Sequence, residues 1–130
     1  MKASKETMRI CDSHFGKLHH RNGKENAFRH ALWNLKICEK CQKTLKISQK
    51  SSKWAEKVTN LYENVTKNES LEDAMDLHNN SVGRMLFLTI SGLKMAKKVD
   101  ILLKMMQKAV KITKMEELQS LKDQLVYISD

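Results

Sequence analysis

The sequence predicts an all-α fold, a compact single domain of five to six helices with a short extended C-terminal tail. Proline is absent and glycine occurs only four times in 130 residues, and these two residues are the strongest helix breakers. The apolar fraction of 41% and the charged fraction of 30% are typical of globular chains rather than disordered ones. The length fits one domain spanning residues 1–130.

The N-terminal half is expected to contain three helices. Residues 4–12 form a short first helix, and the polar stretch 19–24, with its Asn-Gly turn signal, is expected to be a loop. Asn26 is a suitable N-cap for the next helix, which should end near Leu45. After a polar linker, apolar residues at helical spacing predict a third helix over 53–66.

The C-terminal half should begin with a long helix over residues 71–93. Residues 96–112 have an apolar side and a lysine-rich side, which predicts an amphipathic helix, and a short last helix follows within 115–123. The stretch LVYIS at 125–129 is the one β-like segment. Because a lone strand has nothing to pair with, we expect an extended tail packed on the helices.

The charge is strongly basic, with a formal value of +9 from 20 lysines and four arginines against 15 acidic residues. Lysines spread along a chain are typical of a solvated surface, and attraction to an anionic partner is the alternative. An anionic ligand or substrate and a protein partner both fit this charge. Nucleic-acid binding through the lysine surface is the less favoured alternative.

The sequence also contains features that indicate the cellular compartment of the protein. The longest apolar run, at residues 85–93, is too short to span a bilayer, and the N-terminus lacks the pattern of a signal peptide. The three cysteines have no framework spacing, which favours a reducing compartment. We therefore expect a cytoplasmic protein without a transmembrane segment, and export by a route without a cleaved signal stays open.

Cys38 and Cys41 form a C-x-x-C pair that raises the question of zinc. The pair lies within one predicted helix and has no second C-x-x-C partner, although His14, His19 and His20 lie upstream. Two ordinary thiols are therefore the favoured interpretation. The cofactor is unknown, and a divalent metal is the less favoured alternative.

The stretch NAFRHALWN (residues 26–34) places polar residues at the edge of an apolar helix face. His30 and Trp33 share one side by helical spacing, and Arg29 lies one turn before Trp33. The imidazole can be a hydrogen-bonded core group or a titratable group of a site. This helix alone does not decide between the two.

The stretch MDLHNNSVGR (residues 75–84) is harder to explain by packing. On a helix, Asp76, Asn80 and Arg84 fall on one side, and His78 and Asn79 flank them. Asparagine is a poor helix former, and buried polar groups are costly unless paired. A surface kink or an Asp76–Arg84 salt bridge would explain part of the pattern, and a functional site would explain all of it.

Joining the two stretches gives a candidate catalytic site made of His30, Glu63, Asp76 and Arg84. His30 would be the acid–base group, either carboxylate would orient it or help to bind a metal, and arginine would stabilise negative charge. The candidate ligand-binding residues are Arg29, Trp33, His78, Asn79 and Asn80. A hydrolase acting on an anionic or lipid-linked substrate is one hypothesis. The alternative is a non-enzymatic interaction module whose motif residues form a buried hydrogen-bond network.

Three blocks in order, NGKENAFRHALWN, AEKVTNLYE and MDLHNNSVGR, resemble a bacterial family of small helical domains of unknown function. The resemblance covers residues 22–84, and its members look like small proteins or C-terminal modules of polymorphic-toxin-like proteins. It implies an effector-like or toxin-like role and a site at Arg29, His30, Trp33, Glu63, Asp76, Asn79, Asn80, Gly83 and Arg84. Tyr62 occupies the position of a histidine in the family pattern, which puts activity in question, and the position of His78 tolerates aromatics, which implies a supporting residue.

Overall fold

The computed structural model describes residues 2–45, 70–90 and 92–129. Within these ranges the chain is mostly helical, so the predicted all-α class is confirmed. The elements are α1 (Lys2–Phe15), a first 3-10 helix (Leu18–His20), α2 (Lys24–Leu45), α3 (Leu71–Ile90), α4 (Met95–Gln107), β1 (Val110–Lys111), a second 3-10 helix (Met115–Ser120) and β2 (Val126–Tyr127). The predicted third helix over 53–66 lies outside the described residues.

Helix α2 is the central element, and α1, α3 and α4 all pack against it. Its apolar residues recur at three- and four-residue spacing, as an amphipathic helix requires, and Phe28, Leu32 and Leu35 are fully buried. They join the main core cluster with Phe87 of α3 and Leu102 of α4. No described helix has the length and apolar character needed to cross a membrane.

The α2–α3 contact depends on a glycine. A Cβ atom added to Gly83 would lie 2.8 Å from Ala31 Cα and closer still to the Ala31 carbonyl oxygen. Both contacts are with backbone, which cannot rotate away as a side chain can. Gly83 therefore lets the two helix backbones approach closely at the level of the motif residues.

The start of α2 differs from the sequence prediction. The helix begins at Lys24, and its first turn is closed by the Ala27 N–H, which donates to the Gly23 carbonyl at 3.2 Å. Asn26 is therefore inside the helix, and its assignment as the N-cap was wrong. Its side chain instead donates to the His19 carbonyl at 3.2 Å, in a segment predicted as loop that forms the first 3-10 helix.

The C-terminal segment also differs. The helix predicted over 96–112 ends at Gln107, and β1 then pairs in parallel with β2, with Val110 opposite Val126. The 125–129 stretch is thus extended, as expected, but the prediction that it has no strand to pair with was wrong. A six-residue 3-10 helix, Met115–Ser120, replaces the predicted helix over 115–123. The tail continues to the start of α2, where Ile128 N–H donates to the Asn22 carbonyl at 2.9 Å.

Candidate functional site

His30 of α2 lies between two side chains of α3. Its Nδ1 is hydrogen-bonded to Asn80 Oδ1 at 3.0 Å, and its Nε2 lies 3.3 Å from Asp76 Oδ1. Asp76 and Asn80 are four residues apart, so they project from the same face of α3. His30 is 8% exposed, whereas the Asp76 side chain is 27% exposed. The Asp76 side chain therefore reaches solvent in part, whereas its Oδ1 and His30 Nε2 are both buried.

The pKa of His30 is lowered to about 4, mainly because burial disfavours the charged ring and secondly because of the nearby Arg29 charge. The hydrogen bond with Asn80 acts in the opposite direction. The ring is thus neutral at pH 7 and carries one N–H. Because the Asn80 oxygen is an acceptor, this N–H is on Nδ1, and Nε2 carries a lone pair on the side of Asp76.

Arg84 is linked to His30 through a residue that the sequence analysis missed. Arg84 Nη1 donates to Asn34 Oδ1 at 3.2 Å, and Asn34 Nδ2 donates to the His30 carbonyl at 3.1 Å. Asn34 is fully buried and Arg84 is 8% exposed. The available signal was the position of Asn34, one helical turn after His30 and inside the same quoted motif.

Asn79 and His78 lie on another side of α3 and contact the C-terminal segment instead. Asn79 donates from Nδ2 to the Val126 carbonyl at 2.9 Å and accepts from the Val126 N–H at 3.0 Å. His78 Nε2 donates to the Gln124 carbonyl at 2.8 Å. The second motif therefore has two roles: Asp76, Asn80 and Arg84 face α2, and the other two residues position the tail.

We expect Asn79→Leu to lower the free energy of unfolding by about 2–4 kcal/mol, because both backbone groups of Val126 lose a buried partner. His78→Leu is the matched control, since it removes one hydrogen bond at an exposed position and should cost about 1 kcal/mol. Urea unfolding followed by circular dichroism measures both. Equal losses in the two variants would contradict the role assigned to Asn79.

The remaining predicted residues are distributed around this cluster. Arg29 Nη1 donates to His20 Nδ1 at 3.3 Å, towards the first 3-10 helix. Trp33 Nε1 donates to Ser4 Oγ of α1 at 3.0 Å, and its ring centroid lies 6.4 Å from that of His30. Glu63 lies outside the described residues, as does Tyr62, so that part of the predicted site has no structural description.

Three sets of residues are potential metal ligands. At the motif site, His30 and Asp76 supply two candidate ligands, and the third candidate, Glu63, is outside the described ranges. Cys38 is buried in the main core cluster, and the Cys41 side chain is not among those described. Elsewhere in the described residues, Asp12, His19 and His20 bring three potential ligand atoms together.

Comparison with known proteins identifies a family but no individual relative. The chain matches no curated protein and no solved structure. A family model described as Domain of unknown function (DUF6973) matches residues 1–114, which contain α1 to α4 and both quoted motifs. Since the match spans far more than half of the chain, this protein belongs to the DUF6973 family.

Proposed function

We propose that the domain is a hydrolase in which His30 is the acid–base group and Asp76 is the carboxylate that meets the substrate or the attacking water. The observation that carries the proposal is the orientation of His30. Its Nδ1–H is fixed by Asn80 at 3.0 Å, so the basic Nε2 faces the partly exposed carboxylate of Asp76. An amide or carboxylate that fixes the tautomer is a recurring device in histidine-dependent hydrolysis.

Proton transfer would take place at Nε2, on the side of the His30 ring that faces Asp76. Nε2 accepts a proton from water or from a substrate hydroxyl, and Asp76 stabilises the imidazolium that forms. The low pKa of His30 means that the ring is in the base form throughout the neutral range. It also means that the imidazolium, once formed, is a stronger acid than an ordinary imidazolium and returns the proton more readily to a leaving group.

Arginine would stabilise the negative charge of the substrate. Arg84 lies on the same face of α3 as Asp76 and Asn80, and its Nη1 donates to Asn34 of α2, so its positive charge belongs to the same cluster as His30. Arg29 adds a second positive charge on α2, close enough to lower the pKa of His30. These charges favour an anionic substrate such as a phosphate ester, including one carried on a lipid.

The setting we propose follows from the resemblance of the motifs to toxin-like bacterial modules. The chain would be an effector-like or toxin-like domain. Its net charge of +9 would favour anionic surfaces or substrates in the target cell.

The test is turnover of chromogenic phosphomonoester, phosphodiester and carboxyl-ester probes by the purified chain. We expect His30→Ala and Asp76→Asn each to reduce turnover by about 100-fold or more. His78→Ala is the matched control, because this second motif histidine contacts the tail rather than Asp76, and it should retain turnover. Turnover that survives both His30→Ala and Asp76→Asn would contradict the proposal.

A second candidate is the non-enzymatic interaction module, favoured by the Arg84–Asn34–His30 connection. This chain of hydrogen bonds is buried and joins α3 to α2, as a structural network would. Under this hypothesis His30→Ala and Asp76→Asn lower the melting temperature sharply. Under the hydrolase hypothesis Asp76→Asn leaves the melting temperature largely unchanged, so thermal unfolding of that variant distinguishes the two.

A further inference from the structure

We propose that Asp12, His19 and His20 form a binding site for a divalent transition metal such as zinc, separate from the His30 site. Each residue offers one ligand atom, and the three atoms lie within 4.8 Å of one another. Imidazole nitrogen and carboxylate oxygen are both ordinary zinc ligands. Three protein ligands leave the fourth position of a tetrahedral ion for water.

The site is built by a reversal of the chain after α1. Asp12 lies in the last turn of α1, and Gly16 follows with a φ of 59°, a left-handed conformation that suits glycine. The chain then enters the 3-10 helix that carries the two histidines. This brings His19 Nε2 to 2.6 Å from Asp12 Oδ1, with the two imidazole centroids 4.1 Å apart.

One ligand is fixed and two can adjust. His19 is fully buried, and its Nδ1 has no hydrogen-bond partner among the described residues, so within this part of the chain the contact with Asp12 orients the ring. His20 is exposed, and the Asp12 side chain is 59% exposed. Ligand atoms around tetrahedral zinc are about 3.3 Å apart, given bonds of about 2.0–2.1 Å. Rotation of the two exposed side chains can reach that spacing.

Arg29 competes with the metal for His20. Its guanidinium has only donors, so the 3.3 Å contact from Nη1 to Nδ1 needs the lone pair of Nδ1 and places the ring proton on Nε2. Coordination through Nδ1 displaces Arg29, and coordination through Nε2 turns Nδ1 into a donor facing another donor. Either way, metal binding releases Arg29, a residue of the first motif, from His20.

The experiment is calorimetric titration of the full chain with ZnCl₂, together with the visible absorption of bound Co²⁺. We expect one ion per chain, with affinity reduced at least about tenfold in His20→Ala and in Asp12→Ala, since even loss of an outer hydrogen-bond partner costs that much at metal sites. Both residues are exposed, so neither truncation removes core packing. His14→Ala, an exposed histidine of α1 outside the group, is the control and should bind as the unaltered chain does.

Arg29→Leu adds a test specific to this geometry, because it removes the competing donor and the charge and should tighten zinc binding. Binding unchanged by His20→Ala and Asp12→Ala would overturn the proposal. An ion that both variants retain but that is lost after alkylation of the thiols would place the metal on cysteine and would overturn it as well. If the unaltered chain binds no stoichiometric zinc, the proposal is also overturned, and His19 and Asp12 form an ordinary hydrogen-bonded pair.

Discussion

Replacing Gly83 by alanine should destabilise the protein by about 3 kcal/mol or more, the upper range for overpacking a core. The new Cβ would meet the Ala31 backbone, with Cα 2.8 Å away, so α2 and α3 must separate to admit it. The intrinsic helix preference of alanine over glycine, about 1 kcal/mol, opposes this effect but does not cancel it. Because His30, Asp76 and Asn80 span the same contact, their distances should increase too.

Gly92→Ala is the matched control for this prediction. Among the described residues, an added Cβ at Gly92 meets no atom within 4 Å, and the Gly92 backbone is not in the left-handed region. The substitution should therefore be neutral or stabilising by up to about 1 kcal/mol. Thermal and urea unfolding of the two variants gives the comparison, and equal stability of both would show that the close approach at Gly83 is not required.

Stability should fall as the pH decreases from about 6.5 to about 4, because His30 is neutral in the folded state. Its pKa is about 4 when folded against an ordinary value of 6.5, so the unfolded chain binds the proton first. The contribution is fully present above pH 6.5 and is lost towards pH 4. The difference between the two pKa values corresponds to about 3 kcal/mol.

The comparison of the unaltered chain with His30→Gln isolates this contribution. Glu6 and Glu117 also have lowered pKa values, through hydrogen bonds from Lys36 and from the Thr113 backbone respectively, but their stabilisation is lost only below their ordinary value of 4.5. Between pH 4.5 and 6.5, the unaltered chain should lose stability faster than the variant. If the unaltered chain instead becomes more stable as the pH falls from 6.5 to 4.5, His30 is an imidazolium that donates to both Asn80 and Asp76.

Periodicity within one helix predicts which side chains share a face most reliably. The spacing of Asp76, Asn80 and Arg84 predicts a shared helix face, and these three side chains do face α2. What lies opposite a helix face is set by tertiary packing, so the role of Asn34 could not be derived from spacing alone. The different orientation of Asn79 follows from its 100° offset from Asn80 on the helix, but its partner, Val126, is 47 residues away.

The errors have physical causes as well. Asn26 is a residue type that is preferred at the N-cap, where its side chain would stabilise the helix by about 1 kcal/mol. The helix gains further backbone hydrogen bonds by starting at Lys24 instead. Val110 continues the apolar periodicity of α4 and was assigned to that helix. Its pairing with Val126 depends on a partner 16 residues later, and such non-local pairing is invisible to a short sequence window.

The tail has a consequence for the order of folding during synthesis. Residues 125–129 supply the backbone partners of Asn79 on α3 and reach the Asn22 carbonyl just before α2. A nascent chain that has emerged only to the end of α4 already contains both motif helices, but each lacks a contact that comes from these later residues. The contacts of Asn79 and Asn22 with the tail can therefore form only after residues 125–129 have left the ribosome, although α2 and α3 can already pack on each other.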